Sequence, residues 1–360
     1  MKNGGEMMVG LGERTYPIRI EYGCLENIGD DLARRHIAHR YCVIADETVA
    51  ALYADTLVRS LRQSGIAAEL VTFPAGEASK NLGLFADLCS TLARKGYDRK
   101  DGIIALGGGV TGDLAGFVAA AYLRGIAFVQ VPTTLLAQVD SSVGGKTGVD
   151  IAEGKNLVGA FYQPRAVYID TAVLQTLADE EFGGGMAEVI KYGVIRDTRF
   201  FQYLRNERSA ITSLDQKAIE YIIETCCRLK AEVVAEDEKE SDVRRILNFG
   251  HTIGHAVEAV SDFTIIHGRA VAIGMVAAAR IAVRKDLLSR HECDEIMQIL
   301  REYDLPTEIP PEFDRNLIKN YLLTDKKSVA GKIAYILPRS IGEVCITDDV
   351  DDAIIDAVIA

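Results

Sequence analysis

Two short stretches of this chain carry metal-binding and proton-handling residue types among small neighbours. One is Gly185-Met186-Ala187-Glu188-Val189-Ile190-Lys191-Tyr192-Gly193. The other is Asn248-Phe249-Gly250-His251-Thr252-Ile253-Gly254-His255, with His267-Gly268 following. One carboxylate and two imidazoles from separate segments suffice to hold a catalytic Zn2+ and leave positions open for substrate. Glu188 and Lys191 are i, i+3, and His251 and His255 are i, i+4, so on helices each pair aims at one point. A lone His is more often a hydrogen-bonded core residue, but three of the six His lie between 251 and 267, beside glycines. Spacing leaves two choices open: His251 with His255, or His251 with His267 and His255 free for substrate. There is no H-E-x-x-H protease signature.

Ile103-Ile104-Ala105-Leu106 runs into Gly107-Gly108-Gly109-Val110-Thr111-Gly112-Asp113 and then an Ala-rich segment. Residues 107, 109 and 112 match G-x-G-x-x-G in a strand–turn–helix setting, where a pyrophosphate can approach the backbone at a helix N-terminus. A tight βα turn without ligand reads the same way, so neighbouring strand ends decide. Asp46 ends an earlier strand, Glu77 and Lys80 follow another, and Thr133 and Thr134 follow a fourth, a convergence suited to a nucleotide in an open α/β sheet. The loop follows the third or fourth expected strand rather than the first, which disfavours an ordinary Rossmann dehydrogenase.

Asp140-Ser141-Ser142-Val143-Gly144-Gly145-Lys146-Thr147-Gly148 superficially suggests a P-loop. The Walker pattern needs Gly where this chain has Asp140, so an NTPase is rejected. Lys146, Lys155 and Asn156 sit in what reads as a Gly-rich loop able to close on an anion.

The elements that must position these residues change character along the chain. Strand-like runs at Tyr41–Ala45, Glu69–Phe73, Gly102–Leu106, Ala127–Val131 and Ala166–Ile169 alternate with helical patterns at Val49–Gln63, Lys80–Arg94 and Leu114–Leu123. That alternation predicts an α/β domain with a largely parallel sheet. After about Thr176 helical periodicity dominates, over Glu180–Asn206, Asp215–Ala235, Ile246–Val260, Gly268–Lys285 and Arg290–Tyr303. A late strand pair, Lys332–Leu337 and Gly342–Ile346, is expected around Pro338–Ile341. The expectation is an α/β domain over 1–176 and a mainly α-helical domain over 177–360, packed directly with a cleft between them.

Composition narrows the class further. With 48% hydrophobic and 26% charged residues the chain is an ordinary globular protein. A net charge of −12 argues against nucleic acid or an anionic membrane as partner, so anionic ligands need local Lys and Arg clusters. Seven Cys with Cys226 and Cys227 adjacent suit a reducing compartment. Neither a signal peptide nor a membrane span is expected: the longest apolar run, Ala270–Ala279, is half the roughly 20 residues a bilayer requires. The expected location is cytoplasmic.

Taken together, these motifs resemble the 3-dehydroquinate synthase family of sugar-phosphate cyclases. The matching stretches are Leu106–Asp113, Val131–Thr147, Gly154-Lys155-Asn156, Gly185–Gly193, Leu247–His255, His267-Gly268 and Asp325-Lys326-Lys327, in the family's order. The resemblance implies an NAD-binding α/β domain, a helical metal domain and a homodimer. It implies Glu188, His251 and His267 as zinc ligands, with cobalt a possible substitute. Asp46, Glu77, Lys80, Gly108, Gly109, Val110, Thr111, Gly112, Asp113, Thr133, Thr134, Lys146 and Lys155 fall in the NAD region. Asp140, Lys146, Lys155, Asn156, Lys191, Lys230, Arg244, Asn248 and His255 fall on substrate-pocket positions. Arg124 matches an arginine that reaches the substrate phosphate of the neighbouring subunit. Which of Lys326 and Lys327 faces substrate is left open. One departure is Arg269, where the family usually has Glu, which alters charge near the metal.

The implied reaction turns 3-deoxy-D-arabino-heptulosonate 7-phosphate into 3-dehydroquinate and phosphate. It proceeds by transient oxidation with NAD+, phosphate elimination, reduction and aldol closure. The substrate is a small sugar-acid phosphate, met by the Lys and Arg cluster. A metal-dependent polyol dehydrogenase shares the Gly loop and metal domain but needs no anion-binding lysines. A catalytically dead scaffold fits poorly with so full a set of polar pocket residues.

Overall fold

In a computed structural model, which describes residues 6–262, 264–328 and 333–360 with the backbone alone over 323–328, the early apolar runs become strands, buried on both faces except at Glu69–Phe73, which lies at the sheet edge. The chain divides into two units, Met1–Leu177 with Ile219–Ala235 and Ala178–Ala218 with Glu236–Ala360.

The first unit contains β1 (Glu6–Val9), β2 (Tyr16–Ile20), α1 (Ile28–Arg35), β3 (Arg40–Asp46), α2 (Glu47–Val49), α3 (Asp55–Gln63), β4 (Ala67–Phe73), α4 (Leu82–Arg94), β5 (Gly102–Gly107), α5 (Gly109–Ala121), β6 (Ala127–Pro132), β7 (Lys146–Ile151), β8 (Gly154–Phe161) and β9 (Ala166–Ile169). Seven strands form one sheet in the order β1-β2-β9-β6-β5-β3-β4. Only β1 and β2 pair antiparallel; the other neighbours are parallel. Val43 and Ala45 of β3 pack with Ile28 and Leu32 of α1 and Leu57 and Leu61 of α3. Cys42 and Ile44 face Leu88 and Leu92 of α4 and Leu114 and Val118 of α5. Period-two alternation between two apolar layers is why these strands read as unbroken hydrophobic runs.

β4 lies on one side of β3 and β5 on the other, so the chain reverses its direction across the sheet between β3 and β5. The crevice beyond the carboxyl ends of such strands is where ligands bind in open α/β sheets. The Gly loop follows the fifth strand in chain order, rather than the third or fourth expected, because β1 and β2 precede the strands read from the sequence, β2 carrying Pro17.

The expected Gly-rich loop around 146–156 is instead an antiparallel hairpin of β7 and β8. Gly148 and Gly159 face each other across it, and a Cβ on Gly148 would sit 2.8 Å from the Val158 carbonyl oxygen. Its glycines mark close strand approach, which sequence reading took for a loop.

The second unit comprises α6 (Asp179–Arg196), α7 (Thr198–Asn206), α8 (Arg208–Thr212), part of α9 (Gln216–Glu236), α10 (His251–Val260), α11 (His267–Arg284), α12 (Arg290–Glu302), α13 (Arg315–Ser328), the β10 (Tyr335–Ser340)–β11 (Glu343–Thr347) hairpin and α14 (Asp352–Ile359). Residues Ile219–Ala235 of α9 group with the first unit, where Lys230 Nζ donates to Asp140 O at 2.6 Å. The expected helix 180–206 is broken at Asp197, whose carboxylate caps α7 through the Phe200 N–H at 3.0 Å. The expected helix 246–260 is broken at Gly250, with φ +83°, between a 3-10 turn over Val243–Asn248 and α10. β10 runs through Pro338 and Arg339, and Lys332 lies outside the described residues.

α11 is buried on nearly every side, from Gly268 to Ala282. Its small residues let neighbouring helices come to backbone contact. A Cβ on Gly268 would overlap the Gly184 carbonyl of α6, and one on Gly274 would overlap the Gly250 carbonyl before α10. Among the described residues no helix is long and apolar enough to cross a membrane.

Two stability predictions follow from these contacts. Gly268→Ala should force α11 and α6 apart and cost about 1–3 kcal/mol, seen as a lower urea midpoint; an unchanged midpoint would show that the helices part freely. Asp31 accepts from Arg34, from Arg35 and, at 2.7 Å, from Tyr168. Burial opposes its ionisation, yet these donors outweigh it and hold the carboxyl at about 2. Its stabilisation is therefore present above its ordinary pKa of about 4 and fades as pH falls towards 2. Asp31→Asn should cost about 1–2 kcal/mol at pH 7, and urea titrations should show its gap from wild type narrowing between pH 4 and 2.

Candidate active site

At the carboxyl ends of β3, β4, β5 and β6 the first unit gathers most of the residues expected for a nucleotide. α5 starts at Gly109 with no side-chain cap, so its leading N–H groups are left for a ligand. A Cβ on Gly108 would come within 3.0 Å of Thr134 Cγ2, so only glycine lets the backbone line this cradle. Val110, Thr111 and Gly112 form the first turn of α5, with the Gly112 N–H bonded to Gly108 O at 3.0 Å. Thr133 Oγ1 is buried and has no hydrogen-bond partner, as expected of a group that awaits a polar ligand. Asp46 ends β3 and caps α2 through Val49 N–H at 3.0 Å. An uncapped helix start, a glycine cradle and an unsatisfied hydroxyl fit a dinucleotide.

Lys80, 4% exposed, lies between these residues and the β7–β8 hairpin. Its ammonium is 2.6 Å from Asp113 and donates to Asn156 Oδ1 at 2.5 Å. Burial disfavours its charge, but Asp113 and Glu77 outweigh that and hold it protonated. Asn156 has φ +57° and donates its N–H to Asp150 at 2.7 Å. Lys155 pairs with Glu77 at 3.5 Å. Lys146 opens β7 and is exposed. Asp140 sits in a π-helical turn, Ala137–Ser141, and its carboxylate and carbonyl both accept from Lys230. Arg124 is not brought to this group. Its turn, Tyr122–Arg124, precedes β6 at the sheet edge opposite the Gly loop, with Arg124 at φ +67°.

In the second unit α6, α10 and α11 bring Glu188, Lys191 and three histidines together. The Nε2 atoms of His251 and His267 lie 3.5 and 3.6 Å from the same oxygen, Glu188 Oε1. Ligand atoms of His251, His255 and His267 are all within 4.8 Å of one another. Glu188 is 1% exposed; Lys191 Nζ is 2.5 Å from its Oε2, while Oε1 receives no hydrogen bond. Tetrahedral zinc with bonds of about 2.0–2.1 Å separates donors by about 3.3 Å. A buried, undonated carboxylate oxygen near that spacing from two imidazole nitrogens fits such an ion. Burial, then the charges of Lys191, His267 and His255, depress the pKa of His251 and keep it a neutral donor. Burial opposes the charge on His267 too, but Glu188 and Glu258 overcome it and raise its pKa to about 9. A bound cation would take the place of that proton.

Arg244 and Asn248 are held from the preceding loop. Arg244 donates to Glu238 O, and its N–H reaches Asp237 at 3.2 Å. Asn248 Nδ2 donates to Glu240 Oε1 at 2.7 Å. Arg269 donates to Asp304 O at 3.3 Å. The side chains of Lys326 and Lys327 lie outside the described residues.

Sequence reasoning missed Glu240, Asp150 and Glu258. Glu240 and Asp150 carried no signal, because loop and hairpin geometry alone bring them to Asn248 and Asn156. Glu258 had one: it continues the His251, His255 stripe at i+7 on α10.

Comparison with known proteins agrees with this architecture. The 3-dehydroquinate synthase N-terminal family matches residues 70–184 and the 3-dehydroquinate synthase C-terminal family residues 185–328. A 3-dehydroquinate synthase from Desulforamulus reducens is 48% identical over 357 residues, covering 99% of both chains. Among solved structures, 2-epi-5-epi-valiolone synthase from Streptomyces hygroscopicus subsp. jinggangensis, with NAD+ and Zn2+ bound, superposes with TM-score 0.89 at 28% identity over 97% of both chains. A 2-deoxy-scyllo-inosose synthase complexed with carbaglucose-6-phosphate, NAD+ and Co2+ gives 0.88 at 28% identity over 99% of both. With both family domains matched in order and near-complete coverage at that identity, the chain belongs to the 3-dehydroquinate synthase family.

Proposed function

We propose that this chain converts 3-deoxy-D-arabino-heptulosonate 7-phosphate to 3-dehydroquinate and phosphate, in the shikimate route to aromatic amino acids. The observation that carries the reading is the aim of His251 and His267 Nε2 at one buried oxygen of Glu188, in a chain of this family. Glu188, His251 and His267 would hold the ion, and the Gly107–Gly112 turn with Asp46, Glu77, Lys80, Asp113, Thr133 and Thr134 would hold NAD+. When bound, NAD+ exchanges a hydride with a secondary alcohol, and the divalent ion acts as a Lewis acid on the reacting hydroxyls.

The chain's own residues do the rest. Lys146, Lys155, Lys191, Lys230 and Arg244 bind the phosphate and carboxylate, concentrating positive charge locally in a protein of net charge −12. Asp140 keeps Lys230 oriented, and Lys80 fixes the side chain of Asn156. Glu240 orients Asn248. His255 is exposed, with its ring centroid 5.3 Å from His251 and 5.6 Å from His267, and takes or delivers a proton at the substrate. All seven cysteines are free, in keeping with a cytoplasmic enzyme.

The functional unit is a homodimer in which Arg124 serves the partner's site. Its place across the sheet from its own Gly loop supports that role.

Two experiments test this reading. With excess heptulosonate phosphate, many equivalents of phosphate should appear per enzyme while net NADH stays at or below the enzyme concentration. Sedoheptulose 7-phosphate and glucose 6-phosphate should be ignored. NADH accumulating without phosphate would make the protein a polyol dehydrogenase, and no turnover of any of them would make it a scaffold. For the dimer, Arg124→Ala and Lys191→Ala should each be inactive, yet co-refolded subunits should regain about a quarter of wild-type activity, since half the dimers are mixed and each carries one complete site. No recovery would place Arg124 in its own subunit's site or outside catalysis.

A further inference from the structure

Both imidazoles that face Glu188 are anchored through their opposite ring nitrogen. His251 Nδ1 lies 3.2 Å from Phe249 O, and His267 Nδ1 lies 3.2 Å from Glu258 Oε2. The acceptor at Nδ1 decides which nitrogen carries the proton and which presents a lone pair. A backbone carbonyl can only accept, so it takes the His251 Nδ1 proton and leaves the Nε2 lone pair on the side of Glu188, open to a metal ion. His267 has no such carbonyl. It is the first residue of α11, and its ring is oriented from another helix by a carboxylate that is 4% exposed.

We infer that Glu258 is a positioning residue of the metal centre: it accepts the His267 Nδ1–H, turns Nε2 towards Glu188, and through its charge makes that nitrogen a stronger ligand. The inference rests on the metal reading of Glu188, His251 and His267 given above. The packing supports it independently. α10 and α11 touch through backbone at Gly254, where a Cβ would lie 2.9 Å from Ala270 O, so the helix carrying Glu258 is held firmly against the one carrying His267. A carboxylate behind a metal-bound imidazole fixes its tautomer and raises its basicity, and its loss typically weakens metal binding by about 10–100-fold.

The test is zinc affinity of the stripped protein, by competition with a chromophoric chelator, for wild type, Glu258→Gln, Glu258→Ala and His267→Ala. Apo-state urea midpoints report folding separately. Glu258→Ala should weaken zinc about 10–100-fold. Glu258→Gln should weaken it less, because its amide oxygen still accepts, and should shift the visible absorption of the cobalt-loaded protein. A purely structural Glu258 would lower the apo midpoint and leave zinc affinity and the cobalt spectrum of Glu258→Gln at wild-type values, which would overturn the inference. Should Glu258→Ala not fold, the near-isosteric Gln variant decides alone. His267→Ala separates the two ideas: if it keeps tight zinc, the metal reading itself fails. If it loses zinc while both Glu258 variants keep it, only the role of Glu258 falls.

Discussion

Everything in the second unit depends on how closely three helices can approach. α11 meets α6 where Gly268 lies on the Gly184 carbonyl, and it meets the start of α10 where Gly274 lies on that of Gly250. Helices bearing ordinary side chains at those positions pack about 8–10 Å apart. Glycine contacts let backbones come nearer, so short side chains from three separate helices meet. Glu188, His251 and His267 therefore need no long flexible reach, and their rings and carboxylate are set by helix position.

The same economy governs charge. In a protein with net charge −12, the buried cations are stabilised by partners of their own. Lys80 is shared between Asp113 and Asn156, Lys230 rests on Asp140, and Lys191 on Glu188. An unpaired buried ammonium would shed its proton. Paired, it stays charged and ordered, and each pairing also fixes a second polar group. The Lys80 network joins residues beside the glycine turn to the β7–β8 hairpin, so the two share one scaffold.

The carboxyl edge of the parallel sheet supplies the remaining constraint. Because β4 and β5 flank β3 on opposite sides, the loops after β3 and β5 diverge and open a crevice. The uncapped α5 and the glycines before it lie there. A capping side chain would satisfy the helix and close the site to an anion.

The residues proposed to carry chemistry could be picked out of the linear chain, because their types are rare and their spacing matches a helix. Glu188 with Lys191, His251 with His255, and the glycine turn at 107–112 could all be read before any coordinates, as could the change from β/α alternation to helices near Thr176. Central strands were legible because burial on both faces leaves them apolar at every position. What only tertiary structure decided were relations between distant segments. Gly148 read as loop because its opposition to Gly159 exists only once the hairpin forms. Residues Ile219–Ala235 follow Thr176 in sequence yet group with the first unit, since Lys230 and Cys227 find partners at Asp140 and Gln138. Spacing along one helix could not choose between His255 and His267 as the companion of His251. The packing of α11 against α6 brings His267 Nε2 to the Glu188 oxygen that His251 also faces, with Glu258 behind it, because distances between separate segments are set in space and periodicity along a chain does not encode them.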